Sequence, residues 1–245
     1  MSFLPLPCRR GRIAYRHNPD GALWGEEEWR ITRGGDGLRV MSAHCEMRTP
    51  PAWDAPDEHV VRDSVLSVQA DYHPHDAYVR IMNKGEVTGT GWFRFTDDEA
   101  VCESWTLAEG RISQRVVIAR PLRGFGIHAV QGDGWLASTF PYEEGPGHVH
   151  FWGRNLLHSM HHFGATGPYL HTSTSGLRYV ARETVTVPAG TFDCHRVAFV
   201  GLTNNHPDYD MWLTTDGDFL YVKGLVGGYM DSSFELIALE GDQPL

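Results

Sequence analysis

Residues Val60 to Ile118 read VVRDSVLSVQADYHPHDAYVRIMNKGEVTGTGWFRFTDDEAVCESWTLAEGRISQRVVI, runs of alternating residues separated by short polar turns. Side chains on a strand alternate between two faces, so turn length decides which residues share a face, and a slip of one residue exchanges the faces. Taking Lys84-Gly85 as a two-residue turn puts Ala77, Val79 and Ile81 on one face with Thr88, Thr90 and Trp92. Asp97-Asp98, treated the same way, extends that face to Val101, Glu103, Trp105 and Leu107. Glu109-Gly110 extends it to Ile112, Gln114, Val116 and Ile118, and a turn at Tyr72 to His75 ties in Leu66, Val68 and Ala70. The result is a nearly apolar surface, a core or cavity face, with Glu103 between Trp92 and Val116 and Gln114 opposite Trp105.

Hairpin signals continue on both sides of this stretch. Trp24 to Arg33 and Leu38 to Met47 flank Gly34-Gly35-Asp36-Gly37, whose glycines suit a tight reversal. Residues 1–23 read as an N-terminal arm with one strand at most. The prolines 50, 51 and 56 mark a loop around Trp53, because proline cannot donate to a sheet ladder. Beyond the meander, Pro121 to Gly126 turns the chain into a strand near Ile127 to Gln131, and Gly132-Asp133-Gly134 turns it again. Residues 140–176 read as a cap or loop insertion. Within it, Trp152, Leu156, Met160 and Phe163 recur at helical spacing over 151–163, although Leu157 blurs the pattern and leaves a strand open. Hairpins return at Leu177 to Val187 with Phe192 to Gly201, and at Tyr209 to Thr215 with Asp218 to Leu225, before Tyr229 to Leu239. The turn count predicts an all-β fold: one large antiparallel β-barrel or half-barrel of about a dozen strands, lipocalin-like in outline, spanning 1–245 as a single domain.

Composition narrows the function classes. The net charge of −10 argues against nucleic-acid binding, which needs clustered Lys and Arg in excess of acids. The cysteines Cys8, Cys45, Cys102 and Cys194 are scattered without a C-x-x-C spacing, so reduced packed thiols are expected. Met1 to Arg12 lacks the charged-then-apolar pattern of a signal peptide, and no run approaches the length of a membrane span, so a cytoplasmic location is expected. Triad elbows, phosphate-cradling loops and dinucleotide fingerprints are absent, and no cofactor is expected.

The run Glu183-Thr184-Val185-Thr186-Val187-Pro188-Ala189-Gly190-Thr191-Phe192-Asp193, followed by Trp212, Asp216-Gly217 and Leu220, resembles the C-terminal part of a group of uncharacterised bacterial domains of unknown function. Those domains are related in shape to the open β-barrel of lipoprotein carriers. The resemblance covers roughly the last third of the chain. It implies a lipoprotein-carrier-like open barrel and carries no catalytic residue across.

Candidate sites follow from ionisable groups among apolar ones. Glu103, between Trp92 and Val116, would lose hydration, which raises a carboxyl pKa and suits a general acid or base. Its plainer alternatives are an ion pair with Arg94 or Arg62 at the rim of the same face, or a slip in the turns that puts Glu103 in solvent. The turn at Asp216-Gly217 sets Asp210 opposite Lys223 and Trp212 opposite Tyr221, a second ionisable site among aromatics or a cross-strand ion pair. His148 and His150, with His158, His161 and His162, could supply a proton-transfer partner or a metal site, though no H-E-x-x-H is present. Two functions are therefore expected. One is a cofactor-independent lyase, hydratase or isomerase acting on a small hydrophobic or aromatic molecule. It would use Glu103 with His158 or His162, and Trp92, Trp105, Gln114, Trp212 and Tyr221 would form the binding wall. The other is a non-catalytic carrier of a small molecule or lipid using the same cavity. A free strand edge allows a homodimer.

Overall fold

The computed structural model describes residues 6–50, 53, 56–118, 122–202 and 206–241. Met1 to Pro5 of the predicted arm, Pro51 of the proline loop and Pro121 of the turn after the meander lie outside the described residues.

The strands in chain order are β1 (Cys8–His17), β2 (Leu23–Arg33), β3 (Arg39–Arg48), β4 (His59–Val68), β5 (Pro74–Asn83), β6 (Glu86–Phe95), β7 (Glu99–Thr106) and β8 (Gly110–Val117). After them come β9 (Phe125–Gly126), helix α1 (Val130–Leu136), a 3-10 turn at Tyr142–Glu144, β10 (Val149–Leu157), β11 (His171–Val187), β12 (Gly190–Val200), β13 (Tyr209–Thr214), β14 (Tyr221–Val226) and β15 (Ser232–Gly241). All fifteen strands form one sheet in the order β8-β7-β6-β5-β4-β3-β2-β1-β15-β14-β13-β12-β11-β10-β9. Every pairing is antiparallel except β9 with β10. The sheet curls as a half-barrel, open between β8 and β9.

The predicted N-terminal arm contains a ten-residue strand at the centre of the sheet. β1 pairs with β2 on one side and β15 on the other, so it joins the two halves of the meander. The expected helix over 151–163 is instead strand β10 followed by a loop over 158–170. A register shift between Phe151 and Arg154 and a positive φ of 89° at Gly153 break the two-residue alternation there, which is why the spacing imitated a helix.

The one α-helix among the described residues is α1, where Gly132-Asp133-Gly134 reads as a turn. Two glycines make a poor helix by propensity. The helix forms because the interior supplies its partners: Glu27 on β2 accepts the N–H groups of Val130 at 2.6 Å and Gln131 at 2.9 Å. Gln131 in turn accepts the Tyr221 N–H at 3.0 Å, and a Cβ at Gly134 would lie 2.4 Å from the Phe219 carbonyl oxygen. Inside the curl the core is apolar, with Ile13, Tyr15, Ile31, Met41, Leu66, Val79, Ile81 and Phe93 essentially inaccessible. Each large side chain so buried stabilises the fold by about 1.5–3 kcal/mol.

Candidate functional site

Glu103 lies on the outer face, not in the interior. The two-residue turn at Lys84-Gly85 is present, with Asn83 opposite Glu86, and so is the one at Asp97-Asp98, with Phe95 opposite Ala100. Between them β6 carries a bulge: Met82 pairs with Val87 but Ile81 pairs with Gly89, leaving Thr88 over. That extra residue exchanges the faces of β6 and everything hung on it. Gly89, Gly91, Phe93 and Phe95 point inward, followed by Ala100, Cys102 and Ser104. Trp92 and Trp105 point out and are exposed at 44% and 42%. Glu103 sits between them, accepting the Ser113 hydroxyl at 2.6 Å and pairing with Arg111 at 3.5 Å. A further slip follows at the last turn. It holds three residues, pairing Thr106 with Gly110, so Gln114 faces Cys102 rather than Trp105. Gln114 accepts the Leu170 N–H at 2.7 Å and tethers the 158–170 loop.

The second candidate pair also separates. The loop after β13 is longer than two residues: Thr214 N–H reaches Leu220 at 3.0 Å, and Asp216 holds the turn through Thr214 Oγ1 at 2.6 Å and the Asp218 N–H. With a shift beyond Trp212, Lys223 comes opposite Trp212 and Asp210 opposite Leu225. Lys223 pairs with Glu235 at 3.4 Å. Asp210 accepts Arg196 Nε at 2.9 Å, and Arg196 lies 4.8 Å over the Trp212 ring, whose N–H donates to Glu183 at 2.7 Å. This is a cross-strand ionic network on the outer face. Tyr221 is on the other face, fully buried, with its hydroxyl 2.8 Å from that of Tyr209.

The histidines divide. His158 is fully buried, its Nδ1 3.2 Å from Nδ1 of His128, and burial with the nearby Arg62 charge pushes it down to about 3. Burial, with His158 and Arg62 adding, also holds His128 well below the usual range, so the two form a neutral pair. His162 is hydrogen-bonded to the Tyr229 hydroxyl, and His161 pairs with Glu58 at 3.3 Å. Among the described residues no three His, Cys, Asp or Glu side chains are grouped to hold a metal ion.

What the fold does bring together is an interior polar row that alternation alone could have located. Glu27 shares its β2 face with Gly25, Trp29 and Ile31, and register places Glu27 opposite Cys45 and Cys45 opposite Arg62. Besides the two α1 amides, Glu27 accepts the Tyr15 hydroxyl at 2.7 Å and the Cys45 thiol at 3.2 Å. Arg62 donates to the carbonyl oxygens of Phe163 and His128, holding the 158–170 loop and the segment leading into α1 to the sheet.

Beside this row lies a cavity of about 170 Å³. Its wall is mainly apolar and aromatic: Tyr15, Trp24, Met47, Leu156, Phe163, Val226 and Phe234, with Asn155, Ser173 and Ser175 among its polar members. Trp24, Phe163 and Trp53 pack as a cluster at one end, with centroids 5.5 Å apart for Trp24–Phe163 and 5.4 Å for Trp53–Phe163. Exposed Arg123 and partly exposed Trp152, Phe199 and His206 also line it, marking the side that reaches solvent. Asp133 on α1 contributes the carboxyl of the wall and accepts the Tyr209 hydroxyl at 3.2 Å. Burial, and then the charge of Glu27, push this carboxyl up to about 7 against the opposing pull of Tyr209 and Arg62. Of the residues singled out from sequence, His162 reaches the cavity wall, and Tyr221 stands directly behind Tyr209. Asp133 gave no signal, because Gly-Asp-Gly reads as a turn.

The architecture is shared with a known structure. The chain is similar to a β-barrel-like protein of the domain of unknown function DUF1849 from Brucella abortus, over 99% of this chain and 100% of that one, with a TM-score of 0.59 and 9% identity. It is also similar to a DUF1089 family protein from Pseudomonas aeruginosa, over 83% of this chain and 90% of that one, with a TM-score of 0.46 and 10% identity. No family model and no curated protein sequence matches the chain. In fold it is an open β-barrel-like domain of the kind found among domains of unknown function, as the resemblance of Glu183 to Asp193 implied.

Proposed function

We propose that the chain is a binding protein for a small, largely apolar molecule held in the cavity under α1. The observation that carries this reading is the cavity itself, about 170 Å³ walled by Tyr15, Trp24, Met47, Phe163 and Phe234 with a few convergent polar groups. A dry apolar cavity of about 150 Å³ accepts a benzene-sized molecule, so a compact ring fits here. The acid–base version built on Glu103 is not retained, since Glu103 and the histidines expected to assist it lie on opposite faces of the sheet. A catalyst needs its acid and base within reach of one bound molecule.

The test is a thermal-shift screen of small aromatic and alicyclic compounds against the wild type and Val226→Phe, a substitution that fills the cavity from β14. Hits are expected to raise the wild-type melting temperature and to leave the filled variant unmoved. Hits that stabilise both proteins equally would place binding elsewhere and overturn the reading.

A further inference from the structure

We propose that the ligand of this cavity is a protonated amine on a small apolar or aromatic body, anchored by the Asp133 carboxylate. This rests on the reading of the cavity as a binding site and adds the chemical class of what it takes.

Glu27, the other carboxylate of this interior, is saturated by Tyr15, Cys45 and the amides of Val130 and Gln131. Among the described residues the side-chain donor to Asp133 is the neutral Tyr209 hydroxyl at 3.2 Å, which is long for a hydrogen bond to a carboxylate. That hydroxyl is shared with Tyr221 at 2.8 Å. Asp133 keeps accessible surface although it stands deep in the molecule, and the space it faces is the cavity.

Charge points the same way. The groups facing Asp133 are Glu27 from β2, Arg62 from β4, Tyr209 from β13 and Tyr221 from β14. Arg62 lines the cavity without accessible surface and spends its terminal nitrogens on the Phe163 and His128 carbonyls. The His128–His158 pair is neutral. Two carboxylates thus share one buried guanidinium, and an ammonium brought in by a ligand restores the balance. An anionic ligand would add a third negative charge where, among the described residues, the lining guanidinium of Arg62 is already engaged by two carbonyls; Arg123 stands in solvent at the mouth.

The walls complete the match. Tyr15 and Phe234 meet edge to face at 4.8 Å and Tyr209 and Phe234 at 6.1 Å, while Tyr15 and Trp24 lie tilted at 5.2 Å. Ring faces attract a desolvated cation and also accept the ligand's apolar body.

The experiment is calorimetric titration of the wild type and Asp133→Asn with 2-phenylethylamine, 2-phenylethanol and phenylacetate at about pH 8. The wild type is expected to bind the amine about tenfold or more tighter than the alcohol, with phenylacetate weakest. Asp133→Asn, which can still accept from Tyr209, is expected to lose that preference and to keep its affinity for the alcohol. A pH series on the wild type gives a second readout that needs no variant. The amine's advantage should fade as pH drops below about 7, where Asp133 gains a proton, while alcohol binding stays level. Equal affinity for amine and alcohol, or an amine preference that survives in Asp133→Asn or at low pH, overturns the amine assignment and leaves the cavity reading standing. Failure of all three probes, together with equal behaviour of Val226→Phe and the wild type in the broad screen, overturns both.

Discussion

Glu27 is the residue on which the interior turns. It starts α1, fixes the Tyr15 hydroxyl and sits one strand from Cys45 and two from Arg62. Glu27→Gln replaces a charged acceptor by a neutral one that also brings unmatched N–H donors. It is expected to lower stability by about 2 kcal/mol or more, read as a shift in the urea midpoint at constant slope. Two other groups give pH dependences of opposite sign. For Asp133 the folded pKa, about 7, lies above the ordinary carboxylate value, so its proton stabilises the fold at low pH and that contribution is lost as pH rises through about 7. Asp133→Asn should therefore be more stable than the wild type at about pH 8, and the gap should close towards pH 4. For His158 the folded pKa, about 3, lies below the ordinary value of 6.5, so stability is full above that value and declines as pH falls. His158→Gln should reduce the acid-side slope at about pH 5 by up to one proton, about 1.4 kcal/mol per pH unit, in urea unfolding at several pH values. At this scale the sequence carried part of the site. Glu27 could have been read as a charge on an apolar alternation, whereas Asp133 depends on a helix held by partners that the interior supplies, Glu27 first among them.

At the scale of elements, the hairpin turns were legible and the faces were not. Lys84-Gly85 and Asp97-Asp98 are the two-residue turns that their residues predict, and Val187 pairs with Gly190 around Pro188-Ala189. One extra residue, Thr88, reversed the reading of β6 and β7, because pairing counts carry across a turn but not across a bulge. A glycine inside a strand is a bulge or close-approach signal, and Gly89 is both. Its place facing inward lets the 158–170 loop lie on β6: a Cβ there would come within 2.0 Å of the Gly167 carbonyl oxygen. Gly89→Ala should therefore push the loop away and cost about 2 kcal/mol or more, with hydrogen exchange rising at Tyr169 and Leu170 before the rest of the sheet. Uniform exchange, with no local loss at the loop, would contradict that account of β6.

The whole molecule is a meander whose two ends meet in its middle. β1 and β15 close the β2–β8 half onto the β9–β14 half, and the free edges β8 and β9 face the opening. That closure was hidden from the sequence, since pairing between residues some 220 positions apart leaves no local pattern. The cavity belongs to this scale too, because its wall draws on β1, β4, α1, β10 and β15 at once. The most direct test is equilibrium titration of a small aromatic ligand into the wild type and Val226→Phe, followed by the fluorescence of tryptophans including Trp24 and Trp152 on the cavity wall. Saturable binding to the wild type, weakened by about tenfold or more in the filled variant, is the predicted result. Equal affinity in both proteins would show that the cavity is not where the ligand sits.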